Sequence, residues 1–405
     1  MVSEQGLIQY SSQKGRQSLR RDISWAMLFA FHRIALRWNQ TGQKYAGSPD
    51  IVHDLLIRFP PVLWLLVIVT YATVAARLAY HLLRDLKVDA VISSAVATGL
   101  CILALIFKLG FTASDAPELL DWLGQSPTSM FQEIPLVFTA RLTFISIALA
   151  AASVAATQFY FAQSHQKKPP LPALHDLLTL FLLTQTRAHN IPLYLLFILQ
   201  HNSLRRADLT TTQATLSTIL FGHVSFFALG NSNAISSIDL SNGYNGVSGY
   251  NVGAVGLLVF VSNWAGPIWW SVAGIKLLAE LVKVQELSQS KSNGGGVANR
   301  TRSHRAWVSK EHEDLARSVA DKPISASTAA TPAPSTLFSY IALWTLFTAS
   351  ALLAVMLSCT ILRTHLFIWT VFSPKYLYSM AWTLGYQLLV VISSSCALWN
   401  LAAIS

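Results

Sequence analysis

Nine apolar runs, most of them about as long as a bilayer is thick, constrain this chain more than any other feature. A run of roughly 20 apolar residues crosses hydrocarbon as a helix, because a helix satisfies its own backbone N–H and C=O groups where no water can. The runs fall at about 60–80, 88–111, 134–160, 173–186, 190–203, 209–229, 252–276, 336–361 and 376–400. They predict an all-α polytopic membrane protein, a bundle of about nine transmembrane helices (8–10). Pro60 and Pro61 open the first run at a position helices tolerate. The runs at 173–186 and 190–203 are short. They form either two tilted crossings or one re-entrant hairpin around Arg187, His189 and Asn190, and both choices leave the later orientation unchanged. Composition agrees, with 12% charged residues against about 25% in soluble domains.

The formal net charge of +10 would suit nucleic acid, but the bases gather at the ends of apolar runs and no basic stripe interleaves with aromatics. Membrane lipids are therefore the expected partners, with no nucleic acid. Lys and Arg collect at 81–87, 167–168, 205–206 and 285–335, whereas the loop holding Asp115, Glu118, Asp121 and Glu133 has no base. By the positive-inside rule the basic side is cytosolic, so residues 1–59 lie in the lumen and the C-terminus in the cytosol. Lys14, Arg16, Arg20 and Arg21 fit that placement poorly. The expected organisation is 1–59, a lumenal segment with an amphipathic interfacial or docking helix at 23–38; 60–285, the first part of the bundle; 286–335, a Gly/Ser/Ala/Pro-rich disordered cytosolic linker; and 336–405, the rest of the bundle. Cys101, Cys359 and Cys396 all fall in apolar runs and read as buried small hydrophobes. Residues 1–21 have no apolar core of a signal peptide, which leaves open that Met1 is not the natural start.

Catalytic motifs are missing: there is no HExxH, GxSxG, P-loop or placed GxGxxG, and no histidine neighbours two carboxylates at metal-binding spacing. The chain alone is expected to hold no catalytic residue, metal or cofactor. Intramembrane polar residues are costly unless paired or wetted. Arg77, Lys108 and Lys276 lie near run ends and read as snorkelling, with Lys276 and Glu280 also able to pair at i,i+4. Arg141 lies deeper and serves either function or structural pairing. Arg187, His189 and Asn190, ahead of Pro192, either meet a lipid phosphate or cap helix ends. His223 reads as structural.

The stretch from Phe226 to Asn251 is rich in Asn, Ser and Gly with one charge, Asp239. It has too few charges for a solvated linker and too many hydrogen-bonding groups for lipid, which suits polar backbone lining a cavity. The substrate-binding candidates are Asn231, Asn233, Asp239, Asn245, Arg187 and His189. The alternative is that the loop's side chains satisfy its own backbone through Asx turns and caps. Ser262, Asn263, Gly266 and Pro267 predict a kink in the following helix. Asn39 heads the sequon Asn39-Gln40-Thr41 and is a glycosylation candidate, whereas Asn299 faces the cytosol on this topology.

Four strings go further: NQTG at 39–42, LLTQTRAHNIPLYLLF at 182–197, SFFALGNSNAISSIDLSNGYNGVSGYN at 225–251 and HLFIWTVFSPKYLY at 365–378. Together they resemble the membrane portion of GPI ethanolamine phosphate transferases, and the run from Asn233 to Asn242 resembles that family's second, fungal type. The resemblance covers roughly residues 20–400. It implies an endoplasmic reticulum enzyme of GPI-anchor biosynthesis that moves phosphoethanolamine from phosphatidylethanolamine to the second mannose of the GPI precursor. In that family a lumenal, alkaline-phosphatase-like domain precedes the bundle and holds divalent metal, zinc, with Asp, His and a Thr nucleophile. This sequence matches only the portion after that domain, so no catalytic or metal residue carries over to any position here. The chain is then expected to anchor the enzyme, to present the GPI lipid or its donor, and to be inactive alone. The alternative is a polytopic lipid transporter or flippase, or a non-catalytic accessory subunit; the lack of inverted repeats and the scarcity of paired intramembrane charges count against transport.

Overall fold

The computed structural model describes residues 4–40, 49–160, 170–232, 237–249, 251–303, 334–365 and 373–404. Among them every regular element is helical: α1 Glu4–Leu36, α2 Pro60–Arg84, α3 Ala90–Asp115, α4 Gln125–Gln132, α5 Leu136–Tyr160, α6 Leu171–Thr184, α7 Leu193–Arg206, α8 Thr211–Ala228, α9 Val252–Asn263, α10 Ala265–Ser303, α11 Pro334–Ile361 and α12 Ser373–Met380. α12 continues through a π-helical stretch, Ala381–Ile392, into α13, Ser393–Ile404. Helix starts follow local chemistry. Pro60 and Pro61 sit in the first turn of α2, where a missing N–H costs nothing. Asp89 Oδ1 accepts from Val91 N at 2.8 Å to cap α3, and Thr210 and Gln213 cap α8 reciprocally at 3.3 and 3.0 Å.

All nine predicted runs are helical, and among the described residues six stretches are long and apolar enough to cross a membrane: Pro60–Arg84, Ala90–Asp115, Leu136–Thr157, Ala265–Val284, Ser335–Ile361 and Ser373–Trp399. The other predicted crossings are shorter for visible reasons. α6 and α7 have 14 residues each, separated by the turn around Arg187 and Pro192. The run expected at 252–276 is interrupted at Trp264, leaving α9 with 12 residues. Pro267, which has no N–H to donate back into a preceding turn, is accommodated in the first turn of α10.

α10 is the spine of the bundle. Buried residues make up 89% of its apolar stretch, against 11% for α11, whose surface is left to lipid. Two glycines let α8 approach closely: a Cβ on Gly266 would lie 2.6 Å from Ser225 Oγ, and one on Gly274 would lie 2.5 Å from Thr218 Cγ2. Aromatic side chains then tie other helices to it. Tyr340 Oη donates to Ser271 O at 3.1 Å, Tyr386 Oη to Pro267 O at 2.8 Å, and Trp269 Nε1 to Thr179 Oγ1 at 2.8 Å.

The intramembrane charges are more internal than snorkelling allows. Arg77 Nε and Nη2 both lie 3.0 Å from Asp176 Oδ1 on α6, and the Asp176 side chain is only 1% exposed. His81 Nε2 faces the other Asp176 oxygen at 3.6 Å, and its Nδ1 bonds Asp85 at 2.8 Å. Lys108 is fully buried, its Nζ donating to Thr184 O at 3.3 Å and lying 4.4 Å from the Phe111 ring centroid. Glu280 pairs with Arg205 at 2.6 Å, an inter-helix partner in place of the i,i+4 one. These residues stay inside because neighbouring helices supply partners that a span taken alone does not.

α1 also differs from expectation. It is 33 residues long and packs lengthwise on α7, touching α8 through His32 and Phe221 at 5.3 Å between centroids. Ser24, Leu28 and Ala35 form its buried stripe, with Trp38 buried just beyond its end, so it docks on the bundle. α10 stays helical to Ser303, within the segment expected as a disordered linker, since extending an existing helix needs no new nucleus. Residues 304–333 of that segment lie outside the described residues. Cys101 is buried as expected, whereas Cys396 is exposed on the outer surface.

Candidate functional site

At the end of the bundle opposite Arg205 and Arg206, the turn between α6 and α7, the C-terminal end of α3 and the Asn-rich loop enclose a cavity of about 640 Å³. That size falls in the range of small-molecule and head-group sites. The α6–α7 turn presents Gln185, Arg187, His189 and Asn190; α3 and the short turn after it present Asp115 and Glu118; the loop presents Asn231, Asp239 and Ser241. Asn39, at the end of α1, closes one wall, so a glycan on its Nδ2 would compete for the same space.

The loop holds its shape through a hydrogen-bond hub that the sequence did not single out. Asn263, the last residue of α9, donates from Nδ2 to Asp239 O at 2.9 Å and accepts from Asp239 N at 3.0 Å through Oδ1. Its carbonyl accepts from Asn231 Nδ2 at 2.8 Å. The only sequence signal was the kink marked by Ser262, Asn263 and Pro267, and the same side chain that ends α9 organises the loop. Asp239 is bidentate with Arg187, at 2.9 Å to Nε and 3.1 Å to Nη2, and also accepts from Ser241 N at 3.0 Å in an Asx turn. Arg141 donates to Gly246 O at 2.7 Å and Ser248 Oγ at 2.9 Å, which settles it as a structural clamp between α5 and the loop.

Of the sequence candidates, Asn231, Asp239, Arg187 and His189 line this cavity together. Asn245 lines an adjoining cavity of about 350 Å³ that shares Asp115 and Ser241 with the larger one, and it bonds Asn242 Oδ1 at 3.2 Å. Asn233 lies outside the described residues. The two readings of the loop therefore coexist: the same polar groups satisfy local backbone and face the cavity. Arg187 engages Asp239 through Nε and Nη2 and Ser241 through Nη2.

Electrostatics follow from burial and neighbours. Burial first, and then the Arg187 charge, hold the His189 imidazole down to about 4, so it is neutral at pH 7. Burial raises the Asp50 carboxyl near Asn39, but the backbone N–H groups of His53 and Gln40 outweigh it and leave the group below the usual carboxylate range. Three acceptors at the cavity wall have no donor: Asn39 Oδ1, Gln185 Oε1 and Asn190 Oδ1. Asn190 Nδ2 is committed to Leu229 O at 2.9 Å, leaving Oδ1 buried and unpartnered, and Gln185 Oε1 is likewise buried without a donor. Gln185 was legible only as a polar residue closing an apolar run. Among the described residues no group of three His, Cys, Asp or Glu side chains converges to hold a metal.

A family model for the GPI ethanolamine phosphate transferase membrane region matches residues 5–404. GPI ethanolamine phosphate transferase 2 of Aspergillus fumigatus is 36% identical over 86% of this chain and 33% of that protein. The Yarrowia lipolytica protein of the same name is 34% identical over 92% of this chain and 42% of that protein. The chain thus spans about a third to two fifths of the length of these relatives. No solved structure matches. With its helices, its Asn-rich loop and nearly its full length inside one family match, the chain belongs to the GPI ethanolamine phosphate transferase family, as its membrane region.

Proposed function

We propose that this chain is the bundle on which a second-type GPI ethanolamine phosphate transferase is anchored in the endoplasmic reticulum membrane, in GPI-anchor biosynthesis. Its cavity receives the head group of a lipid substrate, the GPI precursor or phosphatidylethanolamine, beneath a catalytic domain on the lumenal side. The transfer itself, from phosphatidylethanolamine to the second mannose, belongs to that domain, and the bundle alone is inactive. The observation that carries this reading is the head-group-sized polar cavity at the bundle end opposite Arg205 and Arg206. Lysine and arginine mark the cytosolic side, so the cavity opens to the lumen and the C-terminus is cytosolic. Holding a lipid head group in register with a reaction centre converts a two-dimensional search into a positioned encounter.

The test uses the full-length enzyme. Asn231→Ala, Asp239→Ala and Asn245→Ala are expected to lower ethanolamine phosphate on the second mannose several-fold, read by mass spectrometry of GPI precursors, with enzyme abundance unchanged. Unchanged transfer in all three variants refutes the role.

A further inference from the structure

We infer that the cavity is built to receive a primary ammonium group rather than a phosphate; this rests on the head-group reading above. Two acceptors carry the inference. Gln185 is 0% exposed and Asn190 4%, both line the cavity, and Gln185 Oε1 and Asn190 Oδ1 are buried without a donor. Their orientation is dictated by the rest of each amide. Asn190 Nδ2 must face the Leu229 carbonyl, and Gln185 Nε2 faces Thr184 Oγ1, whose own hydrogen goes to Phe181 O. Neither amide can flip to offer an N–H instead.

Charge points the same way. Asp115, Glu118 and Asp239 line the cavity against one guanidinium, Arg187, whose Nε and Nη2 already engage Asp239 and Ser241. Asp115 and Glu118 are in no ion pair among the described residues. Lys108, buried below, is turned to the Thr184 carbonyl. His189, held near 4 by burial and by Arg187, adds no positive charge at neutral pH. A phosphate would meet carboxylates and bare carbonyl oxygens. A primary ammonium brings three N–H donors and a positive charge, so it satisfies both amides and the carboxylates together. A trimethylated ammonium has the charge without the donors and leaves the amide oxygens unsatisfied, the situation in which hydrogen-bonding sites discriminate most strongly. Water can satisfy the same acceptors, so the informative comparison is between ligands that differ in their N–H groups.

The experiment offers the purified 405-residue chain, in nanodiscs, mixtures of phosphatidylethanolamine with phosphatidylcholine, and of a glucosaminyl inositol phospholipid with its N-acetylated form, and reads retained lipid by native mass spectrometry. Each free amine is expected to be retained about tenfold over its blocked counterpart, a preference worth about 1.4 kcal/mol. The pair with the larger ratio identifies whether the amine comes from a phospholipid or an amino sugar. Asp115→Asn with Glu118→Gln, two exposed sites that tolerate change, and separately Gln185→Met, are each expected to bring the ratio within about twofold, as losing one charge-assisted hydrogen bond would. Equal retention of amine and blocked forms by the unsubstituted chain, or a ratio unmoved by both variants, overturns the inference while leaving head-group binding standing. Retention of no lipid above the bulk mixture overturns both.

Discussion

Two arginine–aspartate pairs, Arg77–Asp176 and Arg187–Asp239, join the same groups at 3.0 and 2.9 Å and do different work. The first lies between α2 and α6 with its carboxylate 1% exposed; the second sits at the cavity with side chains 44% and 23% exposed. A buried pair that loses one member leaves a charge without solvent, whereas an exposed pair exchanges its partner for water. The interior pair therefore belongs to the stability of the bundle, and the cavity pair to the shape of the site. Geometry alone would not separate them; burial does.

The comparison can be broken most directly at its interior half. Asp176→Ala is expected to lower the stability of the bundle in detergent by about 3–5 kcal/mol, measured by denaturant unfolding followed through tryptophan fluorescence. Arg77→Met with Asp176→Leu should recover most of that loss, and a single-variant cost below about 1 kcal/mol would remove the distinction. A smaller effect sharpens the cavity half through pH. The folded-state value of His189 is depressed to about 4, while an unfolded histidine titrates near 6.5. Above pH 6.5 both states are neutral and there is no penalty. As pH falls from 6.5 toward 4 the unfolded chain binds a proton that the folded chain refuses, so stability falls, and below 4 the loss levels off. Between pH 7 and 5 the unsubstituted chain should lose about 1–2 kcal/mol more than His189→Gln. Smallest of all, a double-mutant cycle on Arg187→Ala and Asp239→Ala should give a stability coupling under about 1 kcal/mol, even where lipid retention changes.

The architecture was largely legible in the sequence because lipid forces regularity: an apolar run in a bilayer has little choice but to be helical. Pro60 and Pro61 even mark where a helix begins. What the runs could not reveal is pairing between distant segments. Asp176 reads as one acid inside an apolar run until α2 brings Arg77 beside it, 99 residues away in the chain. Lys108 looks able to snorkel until α6 covers it. At the candidate site, part of the unusual stretch 226–251 lines the cavity, and Arg187 and Asp239 are partners. The hub residue Asn263 was hidden because a kink signal reports that a helix ends and not what its last side chain then holds. Gln185 and Asn190 escaped as acceptors for a related reason: which end of an amide is left over depends on the neighbour that takes the other end.

The spine role of α10 has a consequence for how the protein is made. Tyr340 and Tyr386, which bond carbonyl oxygens of α10, come from helices translated after it. Until they arrive, α10 has its glycine-lined face docked on α8 and Trp269 bonded to α6, with the surface that the later helices cover still open. Biogenesis of this membrane region therefore ends with its C-terminal helices, and a ribosome that stalled before residue 334 would release a bundle without its final clasp.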